Sequence, residues 1–258
     1  MIIINNKFVS EEKARLPINS DLLLGYGVFE TLRTYDDKKI FRVKDHLDRL
    51  FDSAEKIGLS IEYSKKEIAE MLKKIIEKSL YKNQRVKIVV IPEKVLVISS
   101  KINNDNSMYD GVKCMSLFCE RSIPEIKSIS YLPSFLAHRR AEEKGYFEAI
   151  LLSKKKGVFE GAYSNIFWFE KDILCTRRDD VLLGITRKVV LEISPFKIKF
   201  KAISIDKLYR IKEVFITSSI RGVVPVVKID NKIIGDGLPG KNTKKIMKFF
   251  LKQTLNGI

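Results

Sequence analysis

Gly25-Tyr26-Gly27-Val28-Phe29-Glu30-Thr31-Leu32-Arg33-Thr34-Tyr35 is the stretch on which the reading of this chain turns. A glycine-flanked turn leads into eight residues rich in β-branched and aromatic side chains, the pattern of a strand entered from a loop. Upstream, Ile2, Ile3 and Ile4 form a short strand ending at an Asn5-Asn6-Lys7 turn. Downstream, Asp36-Asp37 turns the chain into Ile40-Phe41, and residues 43–57 read as a helix. There Leu47, Leu50, Phe51, Ala54 and Ile57 recur at spacings of three and four and build one apolar face, which Gly58 ends. Ser64 with Glu67 three residues later predicts a capping box at the start of a second helix, which buries Ile68, Met71, Leu72, Ile75 and Ile76. Two β-rich runs, 85–91 and 95–99, are separated only by Pro92-Glu93-Lys94 and so form a tight hairpin.

Polar stretches at 101–110 and 120–125 are the seams of the chain. Beyond them the pattern predicts a helix at 134–144, strands at 148–152, 164–169 and 173–175, and a helix opening at Thr186. Strands at 213–217 and 223–229 and an amphipathic helix over 242–251 follow. No period of 20–50 residues repeats, and the expectation is an α+β protein in two halves, divided as 1–119 and 120–258. With 45% hydrophobic and 31% charged residues among 258, the chain has the composition of a globular protein with a sizeable core, which excludes intrinsic disorder. The formal charge is +16, from 48 Lys+Arg against 32 Asp+Glu. Because the lysines are scattered and no nucleic-acid motif accompanies them, a solvated surface accounts for the charge and no nucleic-acid partner is expected. No apolar run reaches the ~18–20 residues of a membrane span, and the opening residues turn polar too quickly for a signal peptide. The expectation is a cytoplasmic protein without a membrane partner. Three cysteines and two histidines supply neither a disulfide framework nor a metal site.

The chemical inventory is narrow, without a nucleophile elbow, a Walker loop or a dinucleotide fingerprint. What stands out is a set of anion-binding features. Gly184-Ile185-Thr186-Arg187 lies where a loop becomes a helix, so the amides of Ile185 and Thr186 and the Thr186 hydroxyl are placed to cradle a phosphate. Thr217-Ser218-Ser219 follows a strand and offers further donors. Either segment alone is more often an ordinary cap or polar turn; together they begin to read as a phosphate cup. Lys127 sits between apolar neighbours, where burial favours the neutral amine that Schiff-base chemistry needs, although spacing alone does not separate it from a surface lysine.

Six segments in order carry a family resemblance: 25–33, Asp45-His46-Leu47-Asp48-Arg49-Leu50, 126–132, Glu160-Gly161-Ala162-Tyr163-Ser164-Asn165-Ile166-Phe167, 184–187, and Asp236-Gly237. On these residues the sequence resembles the class IV aminotransferase family, the fold-type IV pyridoxal-phosphate enzymes. Branched-chain aminotransferases, D-amino-acid aminotransferases and 4-amino-4-deoxychorismate lyases belong to it. The resemblance implies a two-domain homodimer with a small N-terminal α/β domain and a larger β-barrel-like C-terminal domain. It implies that Lys127 carries pyridoxal 5'-phosphate, that Glu160 pairs with the pyridine nitrogen, and that Arg49 holds the phosphate with Ile185, Thr186, Ser218 and Ser219. Tyr131 matches a tyrosine that touches the ring hydroxyl in some members, or else packs. His46 matches a structural histidine.

Within the family, the run from Gly27 to Arg33 looks most like aminodeoxychorismate lyases, in which a threonine at the Thr31 position faces the substrate. The expected reaction is formation of 4-aminobenzoate and pyruvate for folate synthesis, with Thr31 and Lys127 catalytic. The alternative is transamination of D-amino or branched-chain amino acids with 2-oxoglutarate. Two features depart from the family pattern: Pro92-Glu93-Lys94 replaces its long excursion, and Ser130 stands where asparagine is usual. The substrate is amino-acid-like and carries a carboxylate, which needs a cation. Tyr26 and Arg221 are the expected substrate-side residues; if Arg221 is merely a surface turn residue, Arg33 and Arg85 are the remaining candidates for the cation.

Overall fold

The computed structural model describes residues 1–16, 20–35, 38–103 and 105–256; the Asp36-Asp37 turn lies outside them. The chain divides into two compact units. The first comprises Met1–Asn103, Ile126–Ser130 and Thr254–Ile258; the second comprises Asn104–Glu125 and Tyr131–Gln253. A five-residue segment around Lys127, Ile126–Ser130, belongs to the first unit although it lies beyond residue 119 in the chain.

In the first unit, strands β1 (Ile2–Ile4), β2 (Lys7–Val9), β3 (Val28–Tyr35), β4 (Lys39–Ile40), β5 (Gln84–Ile91) and β6 (Lys94–Lys101) form one antiparallel sheet in the order β2-β1-β6-β5-β3-β4. A one-turn helix α1 (Ser20–Leu23) precedes β3. Helix α2 (Val43–Lys56) packs on β3, and α3 (Lys65–Lys78) on β1 and β6. The expected capping box is present: Glu67 N donates to Ser64 Oγ at 3.3 Å, and Ser64 N donates to Glu67 Oε2 at 2.8 Å. Leu47, Leu50 and Ala54 of α2 and Ile68, Met71, Leu72, Ile75 and Ile76 of α3 bury their stripes against Val28, Leu32, Val86 and Ile88 of the sheet. Strand β2 is an addition to the expected elements. Asn5 and Asn6 both take positive φ, 45° and 63°, so the expected turn closes a two-residue hairpin whose second strand is too short to show periodicity.

In the second unit, nine strands form one mixed sheet: β7 (Val112–Phe118), β8 (Glu148–Ser153), β9 (Gly157–Gly161), β10 (Asn165–Glu170), β11 (Ile173–Thr176), β12 (Lys197–Phe200), β13 (Val214–Ser218), β14 (Gly222–Ile229) and β15 (Lys232–Ile233). The order is β12-β11-β10-β13-β14-β7-β8-β9, with β15 paired to β14. A 3-10 turn at Asn106–Asp110 precedes β7, helix α4 (Leu132–Glu143) covers β7 and β8, α5 (Ile185–Ile193) lies on β13, and α6 (Ile205–Leu208) and α7 (Lys241–Asn256, of which the residues up to Gln253 belong to this unit) follow. Trp168, Phe167 and Phe215 are the largest side chains fully out of solvent, and Phe167 stacks on Phe215 with ring centroids 4.9 Å apart. Strands β7, β9 and β12 carry no clear period-two signal; β7 becomes a strand because it lies between β14 and β8 with parallel pairing on both sides.

Candidate active site

In the first unit the site begins at Gly27. A Cβ there would lie 2.7 Å from the Val90 carbonyl oxygen and 2.9 Å from Ile129 Cδ1, so only glycine lets residues 126–130 lie down beside β3. That segment is bonded to the start of the strand: Phe29 N donates to Lys127 O at 2.9 Å and Ile129 N to Gly27 O at 2.9 Å. Lys127 is held by backbone at a strand edge, half-buried, with its Nζ 4.4 Å from the centre of the Phe29 ring.

Strand alternation then sorts the residues of β3. Val28, Glu30, Leu32 and Thr34 point into the core, whereas Phe29, Thr31, Arg33 and Tyr35 are half-buried on the opposite face, which puts Thr31 on the same side as Phe29. Glu30 has no exposed surface. Its Oε1 accepts from Arg49 Nε at 2.7 Å, its Oε2 accepts from Arg49 Nη2 at 2.9 Å, and His46 Nδ1 is 2.7 Å from Oε2. Burial by itself would raise the Glu30 carboxyl, but Arg49 and His46 more than offset it and hold it well below the usual carboxylate range. Burial also pushes His46 down, against the pull of Glu30, with Arg49 and Lys127 adding to the depression. Arg49 is therefore oriented through a two-pronged contact to a buried carboxylate, and His46 joins the same network from α2, in keeping with a structural role. Tyr26 donates its hydroxyl to Ile57 O at 3.2 Å and packs on the unit's core, so the structure gives it an anchoring contact at the end of α2.

In the second unit the centre is Glu160, on β9 and 4% exposed. Its Oε1 is 3.0 Å from Arg121 Nη1; its Oε2 accepts from Asn165 Nδ2 at 3.2 Å and from Leu182 N at 3.0 Å. Both oxygens are used as acceptors, as in an ionised carboxylate. Asn165 is fixed in turn by donating to Leu182 O at 2.7 Å. Arg121, Pro124, Phe159, Glu160 and Lys156 are among the walls of a cavity of about 360 Å³. Arg121 and Asn165 hold Glu160, and the sequence by itself points to neither in that role. Asn165 lay inside a quoted motif, but Arg121 lies in a polar seam without periodicity, and no local signal ties it to Glu160, 39 residues away.

Tyr131 caps the start of α4 and donates its hydroxyl to Ala162 O at 2.9 Å, with Tyr163 stacked 5.7 Å away and the Arg121 guanidinium 5.1 Å over its ring. Burial pushes its hydroxyl above the ordinary tyrosine value. Ile185 and Thr186 open α5 after Gly184, which supplies no side-chain cap. Ser218 ends β13, with Ser219 in the turn beyond it. Arg221 has a partner of its own, since Nη1 lies 3.9 Å from the fully buried Glu148 and its guanidinium 4.3 Å over Phe147. A substrate carboxylate at Arg221 would compete with that arrangement.

The donor set fits a phosphorylated pyridine aldehyde. The first-turn amides of α5 have no side-chain acceptor at the cap, and Thr217, whose Oγ1 is buried without a hydrogen-bond partner, is in register with Asn165 and so projects from the same face of the sheet. Within the first unit a lysine lies on a fixed edge and an arginine is already oriented, and within the second a carboxylate is held by three donors; these are group types that bind such a molecule's aldehyde, phosphate and ring nitrogen. Among the described residues no cluster of His, Cys, Asp or Glu offers a metal site, and no helix is long and apolar enough to cross a membrane.

Fold and site together define a pyridoxal-phosphate enzyme with a two-unit α+β architecture. The model of the amino-transferase class IV family matches residues 27–229, and the chain belongs to that family. It is 30% identical to a Methanocaldococcus jannaschii protein provisionally named a branched-chain-amino-acid aminotransferase, over 96% of this chain and 94% of that one. It is 29% identical to the D-alanine aminotransferase of Listeria monocytogenes, over 98% and 95%. Among solved structures, the T.th. branched-chain amino acid aminotransferase with pyridoxamine 5'-phosphate superposes with a TM-score of 0.91 at 25% identity, covering 99% of this chain and 94% of that one. The expected fold class and cofactor are those of the family.

Proposed function

We propose that this chain is an aminotransferase that moves an amino group between an amino acid, with branched-chain donors first, and an α-keto acid. This replaces the lyase reading suggested by Thr31. The observation that carries it is the match along nearly the whole length to aminotransferases, combined with the seating of Lys127 beside Phe29. When bound, pyridoxal phosphate supplies an electron sink for charge developing at the substrate's α-carbon. Lys127 would hold the cofactor by its amine and, as a neutral amine beside the substrate's α-carbon, would serve as the proton acceptor and donor there. Glu160, fixed by Arg121, Asn165 and the Leu182 amide, holds a proton at the pyridine nitrogen. The phosphate would be taken by Arg49 on the first unit's side and by Ile185, Thr186, Ser218 and Ser219 on the second's, and Tyr131 packs against Arg121 and Tyr163.

The purified protein is to be incubated with leucine, isoleucine or D-alanine plus a keto acid, and separately with aminodeoxychorismate. Keto-acid formation from a branched-chain donor is the expected result. Release of 4-aminobenzoate without transamination would restore the lyase reading; in that case Thr31→Val, which removes the hydroxyl on the Phe29 face, should abolish the release. Lys127→Ala should remove the visible absorbance of lysine-bound cofactor and all turnover.

The protein acts as a homodimer in this reading. Leu132, Phe135 and Leu136 of α4 form an exposed apolar stripe, 63%, 47% and 51% accessible, suited to a second copy. Light scattering at micromolar concentration tests it, with a mass near twice 29.8 kDa expected. The three cysteines are free thiols, in keeping with a cytoplasmic protein.

A further inference from the structure

A cavity of about 490 Å³ opens in the first unit, among the β1–β2 hairpin, the 3-10 turn at Glu11–Lys13, Tyr63 and the turn that joins β5 to β6. That is the size of a small-molecule site. Four cations, Lys7, Lys13, Arg15 and Lys94, line it, and among the described residues no carboxylate does. Glu11, Glu12 and Glu93 stand beside these cations in the chain, yet neither the acids nor the four cations enter an ion pair among the described residues. Exposed lysines of α2 behave differently, since Lys44 pairs with Asp48 and Lys56 with Asp52. Like charges gathered around a concavity without counter-charge make its potential positive and concentrate anions there. The parts are also held in place. Arg15 donates Nη1 to Glu12 O at 2.7 Å and to Ala14 O at 3.0 Å, which leaves its second amino group for another acceptor. Asn5 donates Nδ2 to Glu93 O at 2.9 Å and accepts from Val95 N at 2.9 Å, so the two hairpin turns are tied together and the backbone at Lys94 is fixed. Ile4 and Lys7 are cross-strand partners with Val9 two residues on, which puts the three on one face. Tyr63, half-buried against the unit's core, adds an aromatic ring to the cationic rim.

We propose that this cavity is a second ligand site that takes a nucleoside polyphosphate, with the four cations receiving the phosphate oxygens and Tyr63 the base. Charge-assisted contacts to several phosphate oxygens supply the affinity, and the ring selects a phosphate that carries a flat apolar part. None of the cavity's walls is among the residues assigned to cofactor or substrate, so the site stands apart from the aminotransferase reading.

Calorimetric titration of the cofactor-loaded protein with ADP, inorganic pyrophosphate and adenosine tests it, at about 50 mM salt where screening is weak. ADP should bind at one site per chain, pyrophosphate at least about threefold more weakly, and adenosine not measurably. Lys13→Met and Lys94→Met should each weaken ADP by about fivefold to tenfold, and Tyr63→Leu should bring ADP down to the affinity of pyrophosphate. Lys248→Met removes the same charge from an exposed position of α7 and should change ADP affinity less than about twofold. Lys13 is exposed and Lys94 half-buried, so these variants should fold, and thermal unfolding of each sample checks it. Equal weakening by Lys13→Met and Lys248→Met would show diffuse attraction to the +16 surface and overturn the proposal. So would an absence of ADP binding, or adenosine or pyrophosphate binding as tightly as ADP. Visible absorbance is followed on the same samples; a loss of the cofactor band as ADP is added would place ADP in the cofactor's own phosphate site and overturn the proposal as well.

Discussion

Glu30 shows how a single buried carboxylate organises its surroundings. It is wholly inside, yet it stays charged because Arg49 grips both its oxygens and His46 bonds one of them. Glu30→Gln would leave a nearly buried guanidinium without its counter-charge, which costs about 3–5 kcal/mol. The sign of its pH dependence follows from the depressed carboxyl. The Glu30 contribution is fully present above the unfolded-state value of ~4.3 and is lost as pH falls through the lower folded-state value. Urea denaturation should therefore show the largest gap between wild type and variant at pH 7 and a narrower one at pH 3; a gap constant across that range would mean that folding does not shift the Glu30 carboxyl, and one that widens toward pH 3 would mean that Glu30 is neutral in the fold. Glu160 and Arg49 should separate in a second experiment. Glu160→Gln, which keeps the shape but not the charge at the ring nitrogen, should leave cofactor bound and reduce kcat by roughly 10²-fold or more. Arg49→Ala should weaken cofactor affinity by about tenfold or more, read as the concentration of pyridoxal phosphate needed for half-maximal absorbance. Identical defects in the two variants would refute the division of labour.

At the scale of elements, the connection that matters is the one between β3 and residues 126–130. The strand, the α2 stripe and the capped start of α3 follow from local patterning, because each is a run whose period and caps agree with its burial. The seating of Lys127 does not; it depends on Gly27, where a methyl group would meet the Val90 carbonyl and the Ile129 side chain. Gly27→Ala is expected to cost about 1–3 kcal/mol and to reduce the yield of lysine-bound cofactor even where the protein still folds. Thermal unfolding and the visible band of the same sample check both effects; a full band at unchanged stability would show that the segment accommodates a side chain.

For the molecule as a whole, the charge of +16 is a surface property. The described basic side chains include many in exposed pairs, such as Lys44 with Asp48 and Lys56 with Asp52, which contribute little to stability and are screened by salt. Any retention on duplex DNA or heparin should therefore lack sequence preference and weaken steeply between about 50 and 200 mM salt. A complex with one nucleic-acid sequence that persists at the upper concentration would reopen a nucleic-acid role.

Local information in the chain was enough for β3, α2, α3 with its capping box, and the hairpin of β5 and β6, because these elements bury a face that their own periodicity defines. It was also enough, through six short motifs, for the family and its cofactor. Strands β7 and β12 were not legible, since each becomes a strand by parallel pairing with partners distant along the chain, and β9, the hairpin partner of β8, shows no alternation of its own. The surroundings of the motif residues were set the same way. Arg121 reaches Glu160 and Arg221 reaches Glu148 across tens of residues, and Lys87 comes to share a ring with Lys127 only because β5 pairs with β3 while residues 126–130 lie along β3's start. A side chain's type is written in sequence, but its electrostatic partner is chosen by chain segments that meet only after folding, so the charges of a site are paired at the tertiary level.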